Sequence, residues 1–451
     1  MSSILLFQWF LFFFILLISA TAARLNIPRL SPIGPRILED PAEILSELVS
    51  DDLETFFYNQ TLDHFNYKPE SYSIFEQRYV INSKYWGGAN ASAPILVYFG
   101  AEAPLDGDLA VIGFLSDNAI RFNALLLYIE HRYYGKSIPF GSREEALKNG
   151  STLGYFTLLK LLQTMLKLSL MSRKASKLKI LRLSSSEDPM VEYPHIALGA
   201  LASSAPVLYF DDITPQDGYY SPRILEPLND SDELKNYLDS MYSSAAQYNK
   251  PPTYPVNIIC GGIDSSTNSE NDTLSKIVAG LFAYRGNRSC YINAPTNVSE
   301  TRVGWGWQTC SELVIRIGHD RDSMFPAAPF NLDSYIKDCK SLFGVLPQPE
   351  WVTTYYGGHD LKLILRSFAS NIIFSNGLRD PYSSGGVLEN ISDSIVAIST
   401  TNGSHCLDLH QEKPSDPRWL VMQRKTEVEI IQGWISKYHD DLQLKDPKYI
   451  V

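Results

Sequence analysis

The chain has 451 residues, of which 45% are hydrophobic and 20% are charged. This composition is typical of a globular protein, and the length allows a large core and two domains. The formal net charge of -11 at pH 7 argues against a nucleic-acid-binding protein, because such proteins are usually basic. An acidic balance fits a protein that stays soluble in an acidic lumen.

The first 23 residues have the pattern of a secretory signal peptide. Residues 4–18 are almost wholly apolar, and the small residues of 19–23 follow them. The apolar run is short for a membrane span and no basic cluster comes after it, so we favour a cleaved signal over a membrane anchor. Residues 24–50 are dotted with prolines and then acidic, which predicts a propeptide or linker. We expect no membrane contact after the signal is removed.

Asn-X-Ser/Thr sites are spread along the chain, which predicts a glycoprotein of the secretory pathway, either extracellular or in the lysosome or vacuole. The acceptor residues are Asn59, Asn90, Asn149, Asn229, Asn271, Asn287, Asn297, Asn390 and Asn402. In an oxidising compartment most cysteines should pair, and an odd count leaves one over. The cysteines are Cys260, Cys290, Cys310, Cys339 and Cys406. Their spacing does not suit a zinc site.

Short apolar runs that end at polar tips alternate with helix-length segments, a pattern typical of an α/β sheet. Residues 75–81 alternate as a half-buried strand does, whereas residues 94–99 and 123–129 have the composition of buried strands. Residues 201–206 resemble one more strand end. These segments place the first part of the sheet domain at residues 51–206.

The character of the sequence changes between residues 207 and 360. Helix-like segments, most of the cysteines and aromatic-rich loops such as residues 305–307 predict an inserted, mostly helical domain that caps the sheet. The sheet resumes in residues 361–447, where residues 427–438 have the apolar periodicity of a closing amphipathic helix.

Two apolar runs, residues 371–375 and 394–399, are followed by the candidate catalytic residues. Asp380 follows the first run and His405 follows the second. Both runs suit parallel strands that are covered on both faces, and ligands of open α/β sheets bind outside the carboxyl ends of such strands. We therefore expect Asp380 and His405 on one rim of the sheet. The alternative is an Asp-Pro turn and an unrelated loop histidine.

Five motifs stand in order along the chain. They are FYNQTLDHF at 57–65, IEHRYYGKS at 129–137, ASSAP at 202–206, SNGLRDP at 375–381 and GSHCLDL at 403–409. Together they resemble the serine carboxypeptidase family of lysosomal Pro-X carboxypeptidase and dipeptidyl peptidase II, in wording typical of its plant members. The resemblance extends, with gaps, from about Phe57 to Tyr438.

The resemblance implies an α/β-hydrolase sheet with an inserted helical cap, and a peptide substrate with proline before its last residue. It implies that Asp380 is the acid and His405 the general base of a Ser-Asp-His triad, in the chain order of this fold. No metal or organic cofactor is implied, because hydrolysis by a triad needs none. The oligomeric state, a homodimer included, and the choice between carboxypeptidase and dipeptidyl peptidase specificity stay open.

The resemblance also implies a substrate cleft beside the triad. The backbone at Gly100, Ala101 and Glu102 matches the loop that donates hydrogen bonds to the oxyanion. Tyr382 stands where relatives often have tryptophan and is a candidate lining residue, although packing of its own turn is the simpler explanation of this single residue.

The nucleophile of the family, within Gly-Gly-Ser-Tyr-Gly-Gly, is missing from this sequence. It should fall between residues 155 and 193, where no Gly-X-Ser-X-Gly occurs. Asp188-Pro189 does not suit the strand that leads to a nucleophile. Ser184, Ser185 and Ser186 lack the neighbouring glycines that a sharp elbow requires.

A shift of reading frame would explain the missing motif. Codons built from the third base of one codon and the first two of the next allow Gly-Gly-Ser-Tyr-Gly-Gly over residues 186–192. The same shift allows an apolar strand from residue 180 and a helix over 157–166. We therefore hypothesise that residues 157–192 are translated in the wrong frame, and that a small loss after them restores it. The alternative is coincidence, because degenerate codons are permissive.

Three functions are compatible with these features. The first is a serine-type exopeptidase, although a polypeptide without the serine should keep only residual catalysis. The second is a secreted pseudoenzyme that binds peptides or a partner protein in the same cleft. The third is a lipase or esterase of the same fold, which lacks support because the His-Gly-Gly loop of lipases is missing from the sequence.

Overall fold

The computed structural model describes residues 27–34, 52–157, 160, 163, 180–184, 197–217, 219, 232–266, 272–287, 300–319 and 327–444. The predicted signal peptide, much of the predicted propeptide and the hypothetical elbow at 186–192 lie outside these ranges. So do Asn229, Asn271, Asn297 and Cys290.

The described strands form one eight-stranded sheet in the order β1-β2-β4-β3-β5-β6-β7-β8. Their bounds are β1 Glu54–Thr61, β2 Ile74–Asn82, β3 Ile95–Phe99, β4 Leu125–Ile129, β5 Ile180–Ser184, β6 Ala197–Ser203, β7 Ile372–Gly377 and β8 Ile395–Thr400. The pairs β1–β2 and β2–β4 are antiparallel, whereas all other neighbours are parallel. This mostly parallel sheet, with helices on both faces, confirms the predicted α/β-hydrolase fold class.

Helices cover the two faces of the sheet. Their bounds are α1 Leu105–Val111, α2 Phe114–Phe122, α3 Arg143–Ala146, α4 Gly150–Leu153, α5 Asp232–Gln247, α6 Pro255–Asp264, α7 Thr273–Arg285, α8 Glu300–Ser311, α9 Leu332–Phe343, α10 Trp351–Tyr356, α11 Leu361–Phe368 and α12 Arg418–Leu444. Helices α5 to α11 lie in the chain between β6 and β7, within or close to the predicted cap. The domain limits themselves stay a prediction.

Alternation along the central strands creates two cores, one on each face of the sheet. Val97 of β3 belongs to a cluster with Trp305 of α8, on the face that the insertion covers. Its neighbour Leu96 belongs to a second cluster with Phe114 of α2 and Ile431 of α12. The predicted amphipathic helix is thus α12, which begins nine residues earlier than expected (418 against 427). The sheet is fixed from both sides, so its strand ends form a rigid rim.

Two predictions from the sequence are wrong. Residues 305–307 are not a loop but part of α8, because its glycines allow close packing: a Cβ on Gly304 would lie 2.7 Å from the hydroxyl oxygen of Tyr134. Residues 394–399 do not form a strand that is covered on both faces. β8 is the last strand of the sheet, and only Ile395 of its residues is buried.

The described cysteines and acceptor asparagines bear on the expectation of secretion. Cys310 and Cys339 form a disulfide between α8 and α9, whereas Cys260 and Cys406 carry free thiols. The acceptor asparagines within the described ranges are all exposed: Asn59, Asn90, Asn149, Asn287, Asn390 and Asn402. In the same ranges, no helix combines the length and the hydropathy that a membrane span requires. Glycosylation and the signal peptide stay predictions.

Candidate active site

Asp380 and His405 meet at the carboxyl ends of β7 and β8. His405 Nδ1 lies 2.6 Å from Asp380 Oδ2, and neither side chain is accessible to solvent. β7 and β8 are parallel neighbours, so the loops that follow them leave the same edge of the sheet. The structure therefore brings together the two residues that the sequence placed on one rim. Their catalytic roles stay a proposal.

A close contact between two glycines sets this geometry. Gly377 ends β7, and Gly403 lies two residues before His405. A Cβ on Gly377 would lie 2.3 Å from the carbonyl carbon of Gly403. The backbone amide of Arg379 donates a hydrogen bond of 2.9 Å to the carbonyl of Gly403. The two loops can approach closely enough for the acid and the histidine to bond because position 377 has no side chain.

We expect Gly377→Ala to lower the free energy of unfolding by about 1–3 kcal/mol, the usual cost of overpacking. The added methyl group also pushes the His405 loop away from Asp380. Urea unfolding measures the first effect, and the downfield proton resonance of His405 Nδ1 measures the second. Gly433→Ala in α12 is the matched control, because nothing lies within 4 Å of its Cβ position. If the two variants had the same free energy of unfolding and the same Nδ1 proton resonance, the contact between Gly377 and Gly403 would not set the geometry of the pair.

Both oxygens of Asp380 are engaged in holding the acid in place. Oδ1 accepts a hydrogen bond of 3.1 Å from the amide of Tyr382, as Asp380 caps the short 3-10 helix Pro381–Gly385. Oδ2 faces His405. The backbone amide of His405 in turn donates to the carbonyl of Gln247, at 2.9 Å. The acid and the base are therefore anchored through their own loops.

The surroundings of His405 favour its cationic form. Nε2 lies 2.9 Å from the carbonyl oxygen of Leu30, and that oxygen can only accept. Nδ1 faces the carboxylate of Asp380, which also accepts. Burial alone would lower the pKa of His405, but the Asp380 carboxylate outweighs it and raises the pKa well above its usual value. With Leu30 in this position, both ring nitrogens donate, so neither can take up a proton.

Strand β5 lies in the middle of the sheet, parallel to β3 on one side and to β6 on the other. Ser184 ends β5 and pairs with Ala202. Ser185 and Ser186 lie outside the described residues, as does Asp188-Pro189. The segment before the hypothetical elbow is therefore a central strand, the kind of element from which a nucleophile leaves an α/β-hydrolase sheet.

The predicted oxyanion loop follows β3. The amide of Gly100 donates to the carbonyl of Ile129 at 2.8 Å, and the amide of Ala101 donates to Asp108 Oδ2 at 3.2 Å. The remaining amide of the loop, that of Glu102, is the candidate donor to the oxyanion, and in this structure it hydrogen-bonds the carboxyl group of its own side chain. Glu102 is almost fully buried, and burial raises the pKa of its carboxyl group.

The histidine is bordered by Tyr382, which the sequence predicted, and by Gln247 and Tyr248, which it did not. Tyr382, the predicted lining residue, is fully buried, and its ring centroid lies 6.0 Å from that of His405. Tyr248, directly after α5, places its ring centroid 5.8 Å from that of His405. Gln247 and Tyr248 belong to no motif, so only the fold shows that they border the site.

The fold and the buried acid–histidine pair define an α/β hydrolase. A family model described as serine carboxypeptidase S28 matches residues 60–220 and 228–427. The chain therefore belongs to the serine carboxypeptidase S28 family and is, by family, a serine-type peptidase. This confirms the resemblance that its motifs indicated.

Curated relatives match over most of their length. The lysosomal Pro-X carboxypeptidase of Mus musculus is 29% identical over 497 residues, covering 95% of this chain and 98% of that protein. That of Bos taurus is 30% identical over 455 residues, covering 85% and 88%. Among solved structures, an acetylester hydrolase from Corynebacterium glutamicum covers 84% of this chain and 96% of that chain, with 10% identity and a TM-score of 0.42.

Proposed function

We propose that this protein is a serine-type exopeptidase that cleaves peptides after a proline near a chain end, in the manner of a Pro-X carboxypeptidase. The observation that supports this best is the buried His405–Asp380 pair at the ends of adjacent parallel strands. Peptide substrates fit the family. A place in the secretory pathway, in the lysosome or vacuole or outside the cell, fits the lysosomal relatives and the exposed glycosylation sites.

In this proposal His405 takes the proton of the serine hydroxyl and later returns it to the leaving amine. Asp380 holds the imidazole in the required tautomer and stabilises the imidazolium that forms. The amide of Glu102 and that of the residue after the serine stabilise the oxyanion. Proline has a fixed φ and no N–H, so its pocket recognises shape rather than a hydrogen bond.

The nucleophile in this proposal is the serine of Gly-Gly-Ser-Tyr-Gly-Gly, encoded by the shifted frame over residues 186–192. Strand β5 itself lies within the range of the hypothetical shift, but the shifted frame also allows an apolar strand from residue 180, so a central strand leads towards the serine in either frame. The 451-residue polypeptide itself lacks the motif and should hydrolyse peptides at only a residual rate.

A second candidate function is a secreted pseudoenzyme that binds peptides or a partner protein without cleaving them. Two observations favour it. The sequence contains no glycine-flanked serine between residues 155 and 193. In addition, the carbonyl oxygen of Leu30, from a segment of the chain itself, already accepts a hydrogen bond from Nε2 of His405.

The native transcript and a serine-reactive fluorophosphonate probe separate the two functions. We expect the transcript to encode the elbow, and its protein to react covalently with the probe, whereas the 451-residue polypeptide stays unlabelled. His405→Ala in the transcript-encoded protein is the control, because loss of the base should abolish labelling. A transcript that encodes this sequence as it stands, with an unlabelled product, would favour the pseudoenzyme.

A further inference from the structure

Residues 27–34, from the region predicted to be a propeptide or linker, lie across the cleft in front of His405. Leu30, Ser31 and Ile33 are each at most 1% exposed. Leu30 and His405 are 375 positions apart in the sequence, yet they are in hydrogen-bond contact. A stretch that follows the predicted signal peptide is thus built into the interior of the molecule.

Successive backbone carbonyls of this segment, from Ile27 to Pro32, each accept a hydrogen bond from a side chain of the cleft. The donors are, in order, Trp305 Nε1 at 2.7 Å, the Tyr382 hydroxyl, Gln247 Nε2 at 2.6 Å, His405 Nε2 at 2.9 Å, the Tyr248 hydroxyl at 2.7 Å and His410 Nε2 at 3.2 Å. They come from the insertion and from the loops after β7 and β8. We call these six residues the carbonyl track.

Contacts of the side chains add to those of the backbone. Leu30 belongs to the core cluster that includes Val97 and Tyr382. The Arg29 guanidinium donates to the carbonyl of Glu102 at 3.4 Å, and its charge lowers the pKa of the Glu102 carboxyl, opposing the effect of burial. The segment therefore covers the buried carboxyl group of the predicted oxyanion loop as well as the histidine.

While the segment is in place, it prevents chemistry at His405, so turnover requires that the segment leave the cleft. Leu30 places its carbonyl on Nε2, the atom that must bond to the serine hydroxyl in a triad. The peptide bond next to that carbonyl is Leu30–Ser31, so neither Pro28 nor Pro32 contributes its carbonyl to the histidine. An exopeptidase also needs a free chain end, whereas this segment continues in both directions. It is held like a substrate in a register that does not suit cleavage after proline.

We propose that residues 27–34 are an internal pseudosubstrate, which closes the cleft until it leaves, and that the carbonyl track then binds the backbone of an extended peptide. The inference rests on the proposed function only in taking this cleft as the peptide-binding site. The track holds main-chain carbonyls, which every peptide has, so sequence preference must come from the pockets between the donors.

Binding of a peptide in trans tests this without any need for turnover. The probe is a fluorescein-labelled peptide of residues 27–34, IPRLSPIG, and its anisotropy is followed as the purified protein is added. Leu30→Asp combined with Ile33→Asp should expel the internal segment, because two unpaired carboxylates cannot remain buried. We expect the labelled peptide to bind this double variant at least about tenfold more tightly than it binds the unsubstituted protein. The apparent affinity for a peptide falls with the fraction of molecules whose cleft is free, and the internal segment keeps that fraction small.

Matched controls separate opening of the cleft from general damage. Leu346→Asp and Leu388→Asp change leucines that are 64% and 43% exposed, and should leave binding as it is. Tyr248→Phe, added to the variant with Leu30→Asp and Ile33→Asp, removes one hydrogen-bond donor of the carbonyl track. It should weaken peptide binding roughly two- to tenfold, as loss of one hydrogen bond does. Circular dichroism and thermal unfolding confirm that each variant folds.

A folded variant with Leu30→Asp and Ile33→Asp that binds the peptide no better than the unsubstituted protein would overturn the proposal. If that variant does not fold, Arg29→Glu tests the same point. It places a carboxylate beside the buried Glu102 and leaves the side chains of Leu30 and Ile33 unchanged. If the double variant binds the peptide, but an elbow-bearing protein with the same two substitutions hydrolyses no Pro-X peptide, the proposed function is overturned and the pseudosubstrate proposal stands. If the elbow-bearing protein hydrolyses Pro-X peptides but the double variant binds the labelled peptide no better than the unsubstituted protein does, the proposed function stands and the pseudosubstrate proposal is overturned.

Discussion

A protein translated in the frame that encodes Gly-Gly-Ser-Tyr-Gly-Gly over residues 186–192 should hydrolyse a Pro-X peptide roughly 10⁶-fold faster than the 451-residue polypeptide. In serine peptidases, loss of the nucleophile alone costs a factor of about this size in turnover, because the remaining residues of a triad do not act independently. What stays without it is binding and oxyanion stabilisation.

The structure makes this comparison a fair one. Both proteins share the rim with Asp380 and His405 and the carbonyl track, and both carry Leu30→Asp and Ile33→Asp, so that the segment of residues 27–34 does not cover His405 in either. The measurement is the turnover of a blocked peptide with proline as its penultimate residue. The control is the elbow-bearing protein with its central serine replaced by alanine, which should fall to the rate of the 451-residue polypeptide. Equal rates for all three proteins would contradict the elbow hypothesis.

The strand ends with Asp380 and His405 could be predicted because the information is local. An apolar run followed by a glycine-containing polar loop predicts a buried strand and its end, and parallel strands place such ends on the same edge. The 2.6 Å contact between the two side chains follows from that topology together with the close approach at Gly377. Here the sequence pattern and the tertiary structure depend on the same few residues.

The remaining parts of the site depend on contacts between distant residues. Gln247 and Tyr248 carry no motif, and they face the segment of residues 27–34 only because the insertion folds back over the sheet. The sequence did not predict the helix at residues 305–307 either, because its glycines and tryptophans are typical of a loop. The helix packs closely because Tyr134 and Phe343 lie against these glycines. Burial of this kind depends on what covers a segment, and a local pattern does not contain that information.

Asp380→Asn in the elbow-bearing protein should lower turnover by about 10⁴-fold, the size of the effect when the acid of such a triad becomes an amide. The amide NH₂ group can donate to Nδ1, which favours the tautomer with its proton on Nε2. That tautomer cannot accept the proton of the serine. A folding defect could also lower turnover, so the variant needs a second measurement that reports on the histidine itself.

That readout is the titration of His405 by NMR. The Asp380 carboxylate raises the pKa of His405 well above its usual value, and the substitution should bring the pKa down. Because the pKa of a free histidine is about 6.5, the stabilisation from His405 is fully present below that pH. It is lost as the pH rises through the raised pKa of the folded protein. The free energy of unfolding should therefore fall most in Asp380→Asn at acidic pH, with the gap closing at alkaline pH.

Asp393→Asn is the matched control, because Asp393 is an exposed aspartate just before β8. It should change neither turnover nor the titration of His405. An unchanged pKa of His405 in Asp380→Asn would mean that the contact between the two side chains does not set the charge of the imidazole. In that case Asp380 would only cap the turn at Pro381–Gly385, and the base of this site would need another partner.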